Sequence, residues 1–232
     1  MKQQLSAEQK KLDLDLWIIV LVTLGVYLLY AALGNRLMDF VADDRVSVVP
    51  RLLLNAAVQF GVAGLGVTIV CVWRKEPFTA YGLTRKHMAA AILATLLCFV
   101  PLVCVIVLSG QFDGYHPFRI SITEDVLASG IPFSLLGMAL IVVVWGFFEG
   151  FNYAVICDKV NRRYPSKNPW LDYGAIVCAI VCVLFHPCSL SFWGIAEMLT
   201  MALAIYGMLL VKGKTGNAWG CIFAFCLIWN AI

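Results

Sequence analysis

Apolar residues in this chain fill long unbroken runs instead of recurring at a helical or strand period, so run length carries the structural information. About 20 consecutive apolar residues cross a hydrocarbon core. Seven runs approach that length, near residues 16–34, 52–73, 88–109, 132–157, 171–188, 189–211 and 217–232. The pattern predicts an all-α, polytopic transmembrane helix bundle of about seven spans. Residues 1–232 then form a single integral-membrane domain, with no soluble domain between spans.

The polar intervals supply the punctuation. Residues 1–15 carry mixed charge and read as a short interfacial helix ahead of Trp17. Arg36 to Arg51 mixes Asp39, Asp43 and Asp44 with apolar residues, which suits a partly helical stretch on the membrane surface. Gly61, Gly64 and Gly66 in the second run let helix backbones approach closely. Pro77 and Gly82 mark turns in a basic loop where His87 reads as solvated, and Pro101 predicts a kink in the third run. Pro165 and Pro169 stop the fourth helix after about Tyr164. The first run is too long for a signal peptide and lacks a small-residue cleavage site, so it is expected to remain as a span.

Composition agrees. The chain is 62% hydrophobic and 13% charged, against roughly 45–50% and about 25% in soluble domains. Of the 17 Lys and Arg residues, 13 fall on one side of the alternating spans and 4 (Arg36, Arg45, Arg51, Arg119) on the other. The positive-inside rule therefore places the N-terminus in the cytoplasm, most simply at the cell (plasma) membrane. Topology accounts for the net charge of +3, which implies membrane lipid and no nucleic acid as partner. The nine cysteines (71, 98, 104, 157, 178, 182, 188, 221, 226) lack CxxC or zinc-type spacing and read as small core hydrophobes. Asp113, His116, Glu124 and Asp125 share a loop without a recognisable metal-ligand spacing, so no metal or other cofactor is expected.

The chemistry concentrates in Trp145 to Pro165, where Glu149 interrupts an apolar run. A charge at the centre of a bilayer helix costs about 2.5–3.5 kcal/mol on insertion scales, so such a residue calls for a function and a partner. At 100° per residue, Asn152 and Tyr153 share the face of Glu149, while Gly150 and Phe151 point elsewhere. The midpoint between positions 149 and 186 falls inside the turn Pro165 to Pro169, so in a helical hairpin Glu149 and His186 lie level. Glu197 is a second intramembrane acid. Cys226 and Asn230, four apart, lie one above the other on the last span. A carboxylate facing an imidazole can activate a water for hydrolysis, relay protons in a transporter, or simply join helices. No inverted repeat is evident that would favour a transporter. A cavity is expected between the fourth, fifth and seventh spans, open to the cytoplasm or sideways to lipid.

Over residues 73–232 the sequence resembles the CAAX prenyl protease and bacteriocin-processing (CPBP, or Abi) family of intramembrane proteases. The resemblance is carried by Gly82-Leu83, by the Glu149 helix ending in Arg162-Arg163-Tyr164-Pro165, by Leu184-Phe185-His186, and by Lys214-Thr215-Gly216-Asn217-Ala218-Trp219. It implies that Glu149 is the general base, that His186 helps it activate water against a peptide carbonyl, and that Asn230 assists the oxyanion. Asn152, Tyr153 and Cys226 would then contact a peptide or prenylated-protein substrate. Departures accompany it. Glu149 has no Glu neighbour, Tyr153 or Ala154 stands where the family has Arg, and Cys182 replaces the Phe of FxxxH. The last His is absent, its place falling on Phe225 or Cys226. A single Glu and a single His fall short of a zinc cage. The competing expectation is a non-catalytic descendant of the fold, a binding or immunity-type membrane protein.

Overall fold

The computed structural model describes residues 5–186 and 189–232, and every regular element within them is helical. Helix α1 is Ala7–Ala42, α2 Val48–Arg74, α3 Met88–Leu108, α4 Thr123–Ala128 and α5 Phe133–Arg163. They are followed by α6 Tyr173–Phe185, α7 Phe192–Thr215 and α8 Trp219–Trp229. Among the described residues, α1, α2, α3, α5 and α7 are long and apolar enough to cross a membrane. Large apolar side chains such as Leu28, Leu97, Leu135 and Leu203 stand exposed on their outer faces. The chain is an integral membrane protein.

Two of the seven expected spans are short helices. The 13 residues of α6 rise only about 20 Å, against a hydrocarbon core of about 30 Å. Helix α8 is shorter still and ends where Asn230 turns away. A loop from the opposite end completes its path, for the His116 N–H donates to the Ala231 carbonyl at 2.8 Å.

The polar lead is not a separate interfacial helix. Ser6 and Gln9 form a reciprocal capping box at 3.0 and 3.1 Å, and from it α1 runs unbroken for 36 residues. Its charged first turns have partners on α5: Glu8 pairs with Arg162 at 2.6 Å and Asp13 with Arg163 at 2.5 Å. At the other end α1 absorbs Arg36 and Asp39, so that stretch is helix continued, not a surface segment. The buried Arg51 donates to the Val41 carbonyl at 2.7 Å and reaches Asp125 of α4 at 2.6 Å.

Packing uses small residues, since no hydrophobic drive separates helix from lipid. Gly66 lies against the Ile19 backbone of α1, and Gly61 against Val26. A Cβ at Gly150 would stand 2.7 Å from the Cys221 carbonyl oxygen, which fixes α5 tightly on α8. Gly82 adopts a left-handed φ of 101°; its carbonyl accepts the Ala218 N–H at 2.8 Å. Asn217 donates to the Thr84 and Lys86 carbonyls at 2.7 and 2.8 Å. The Gly82-Leu83 loop and the start of α8 are thus one unit. Cys71, Cys157, Cys178 and Cys221 fill core positions, as small hydrophobes should, whereas Cys104 is exposed and Cys188 lies outside the described residues. His87 is solvated. Pro101 sits inside α3 without ending it.

The basic end of the bundle is closed by buried ions. Lys159 is inaccessible to solvent, and its ammonium donates to Asp15 and to Glu76, each at 2.9 Å. Asp15, equally buried, takes a second cation from Arg74 at 2.7 Å. Glu76 accepts the Tyr81 hydroxyl and has Lys11 at 3.7 Å. Burial works against the Glu76 charge, but hydrogen bonds from Tyr81 and Lys159 outweigh it and hold this carboxyl below its ordinary value. Burial, then the Glu76 hydrogen bond, pushes the Tyr81 phenol up.

Removing one partner of a buried ion set strands the others, so Lys159→Met is expected to cost about 3–5 kcal/mol. Thermal unfolding in detergent reads this, with the exposed Arg45→Ala unchanged as control; equal melting of Lys159→Met and wild type would refute the network's role. The Glu76 carboxyl binds its proton more weakly folded than unfolded. Its stabilisation is therefore fully present above the ordinary glutamate value and lost as pH falls through the folded one. The melting temperature is expected to drop on acidification below about pH 4.3, and Glu76→Gln to flatten that slope.

Candidate functional site

Three helices depart from α geometry at one place. Residues Gly61–Leu65 of α2, Val142–Phe148 of α5 and Phe225–Trp229 of α8 are π-helical. Such turns insert a residue into the hydrogen-bond ladder and are frequent at functional sites. Each borders a polar side chain: Gln59 shortly precedes the first, Glu149 follows the second, and Asn230 follows the third. Asn230 joins two of them, donating to the Trp145 carbonyl at 2.9 Å and the Phe225 carbonyl at 3.1 Å.

Glu149 has a partner on α2, where the Gln59 amide donates to Oε2 at 3.1 Å. The Asn230 side chain also stands against the carboxylate. Glu149 opens into a cavity of about 340 Å³ that it shares with Asn152, Tyr153 and His186. Gly150 and Phe151 do face elsewhere, onto α8 and into an apolar cluster with Val67 and Val155. From the turn between α5 and α6, Glu149 and His186 each lie about 20 Å along their helices at 1.5 Å per residue, in keeping with their common cavity.

His186 leaves the end of α6 in an extended conformation. Its Nδ1 lies 2.8 Å from the Cys182 carbonyl. A carbonyl only accepts, so Nδ1 carries the proton and Nε2 is the basic nitrogen of the neutral ring. The ring meets Trp229 edge to face with centroids 4.9 Å apart.

The cavity walls are α5 and α6, the fourth and fifth expected spans, together with α1 and α2 in place of the seventh. Helix α8 stands behind, with Phe225 stacked on Tyr153 at 5.4 Å and closing that side. Cys226 lies outside the cavity, in an apolar groove with Phe118 and Val142, close against Gly146. Asn230 is likewise not a lining residue. Both nonetheless meet the π turn of α5, Cys226 against Gly146 and Asn230 on the Trp145 carbonyl.

The sequence reading passed over Gln59, Asn55, Thr23 and Tyr27, all of which line the cavity. Asn55 and Gln59 were legible: two amides four apart inside the second apolar run are as anomalous as Glu149. No group of three His, Cys, Asp or Glu side chains that could hold a metal occurs among the described residues. The arrangement offers one carboxylate, one imidazole and several neutral amides and hydroxyls, which can bind a polar chain and a water within the bilayer. The chain matches no protein-family model, no curated protein and no solved structure.

Asn230→Leu would leave the Trp145 and Phe225 carbonyls without their shared donor. A loss of about 1–3 kcal/mol is expected for each group left unsatisfied, read by thermal unfolding; an unchanged melting point would show that these carbonyls find other donors.

Proposed function

We propose that this protein is a CPBP-type intramembrane endopeptidase, in which a water held between Glu149 and His186 attacks a peptide bond of a membrane-associated or prenylated substrate. The observation that carries the reading is the shared cavity: the Glu149 carboxylate of α5 and the imidazole at the end of α6 line one space inside the bundle, with Asn152 and Tyr153 beside them. In this reading Glu149 takes the proton of the attacking water, and Nε2 of His186 hydrogen-bonds the same water. Asn230, which stands against the Glu149 carboxylate, is the residue that the resemblance assigns to the oxyanion. The chain crosses the plasma membrane seven times, its N-terminus cytoplasmic, with the short α6 and α8 completed by non-helical segments. Non-helical backbone is tolerated at that depth where it is buried in protein or lines a cavity.

A second reading is a non-catalytic membrane binding or immunity-type protein of the same family. It is favoured by Asn230, whose amide already donates to two backbone carbonyls and so has less to offer an oxyanion.

Hydrolysis of a hydrophobic or prenylated peptide by the protein in vesicles decides between them. Glu149→Gln should abolish hydrolysis with the fold intact, and His186→Ala should nearly do so. Phe225, packed on Tyr153 and Trp229, is better placed than Cys226 to hold the family's last His. Phe225→His should therefore raise the rate by up to about 10²–10³, the worth of one oxyanion donor, and Cys226→His should not. Equal inertness of wild type, Glu149→Gln and Phe225→His would leave the binding reading.

A further inference from the structure

The cavity has a direction. Depth can be read along α1 from its contacts: Asp15 is level with Lys159, Thr23 donates to the Val62 carbonyl at 3.1 Å, and Val41 is level with Arg51. Towards the basic end, the cavity wall reaches only to Thr23 on α1 and Ile156 on α5. Beyond Thr23 on α1 and Ala63 on α2 come the buried Ile19, Val67 and Val70, and beyond those the buried ions around Lys159. Among the described residues the cavity lining stops short of both layers.

Towards the other end the cavity continues. Its wall includes Leu37, Met38 and Val41 of α1 with Leu54 and Asn55 of α2, so from Thr23 to Val41 it follows about 27 Å of helix. Asn55 there bonds Ser121 of the loop on that face at 3.4 Å. Apart from Glu149 and His186, the lining is neutral: aliphatic side chains, the Tyr27 and Tyr30 rings, and the amides of Asn55, Gln59 and Asn152.

We propose that the site is loaded from the face of the membrane bearing Arg45, Asp113 and Arg119, opposite the basic end, and that its occupant is an uncharged, largely apolar peptide segment. Aliphatic walls accept the side chains, and the three amides pair with backbone N–H and C=O groups that would otherwise be stranded in hydrocarbon. With the basic end cytoplasmic, the substrates of the proposed function, prenylated or not, are presented to the site from the extracytoplasmic face. The substrate class rests on the proposed function; the side of access does not.

The full chain in vesicles tests this with a membrane-impermeant thiol reagent, modification being read by mass spectrometry at each introduced position. Exposed reporters Asp113→Cys and Arg85→Cys identify the two faces. Asn152→Cys, deep in the cavity, is expected to react only from the face that labels Asp113→Cys. Asn55→Cys, nearer the mouth, should react from the same face and faster, and it decides the matter if Asn152→Cys does not fold. A capped neutral peptide of Leu, Ala and Ser added on that face should slow labelling at position 152 several-fold. Reaction from the Arg85→Cys face, from both faces or from neither overturns the direction, and labelling indifferent to the peptide overturns the occupant. Glu149→Gln should retain the one-sided labelling while losing hydrolysis, so failure of the catalytic reading and failure of this one are told apart.

Discussion

Lys159 and its two carboxylates are the interaction on which the arrangement depends. An ammonium group without solvent contact is tolerable only because Asp15 and Glu76 both reach it at 2.9 Å. Those carboxylates come from α1 and from the turn after α2, so neutralising one charge holds three parts of the chain together. Helix α1 is otherwise held by Glu8 and Asp13 on Arg162 and Arg163 and by the close approach of Gly61 and Gly66, while many of its large apolar side chains face outward. Anchored by ions at one end and by Arg51 at the other, it can stand as the wall of a cavity without being packed into the core.

The second constraint is backbone geometry. A regular α-helix satisfies its own carbonyls and presents side chains at fixed intervals, leaving little freedom to aim a polar group. Where α2, α5 and α8 loosen into π turns, side chains are redirected and carbonyls need outside donors. Asn230 meets that need for both α5 and α8. The same residues that shape the site therefore also repair the helices it interrupts.

The sequence conveys the helices and the deep acid well, because both are matters of composition along a line. Run length marks the membrane helices, and the isolation of Glu149 in apolar sequence marks the site. The face shared by Glu149, Asn152 and Tyr153 follows from helical angle, which holds on α5 beyond its π turn. Tertiary pairing was not legible: Asp13 and Asp15 look like a solvated lead until Arg163 and Lys159, some 150 positions away, give them partners. Nor does a 13-residue α6 announce itself in a longer apolar run, since apolar residues past a helix end look the same as those within it.

The length of α1 ties the cavity to its solvent. A helix of 36 residues extends about 54 Å, well beyond the hydrocarbon thickness of about 30 Å. Its apolar run, residues 16–34, spans about 28 Å and matches that thickness, so the charged ends project, and a thinner bilayer would make the helix lean at fractions of a kcal/mol per Å of mismatch. A lean of α1 is a movement of the wall that carries Tyr27, Tyr30 and Met38. The lipid around this protein is thereby a mechanical load on the cavity, and the width of the space in front of Glu149 is partly a property of the membrane that surrounds it.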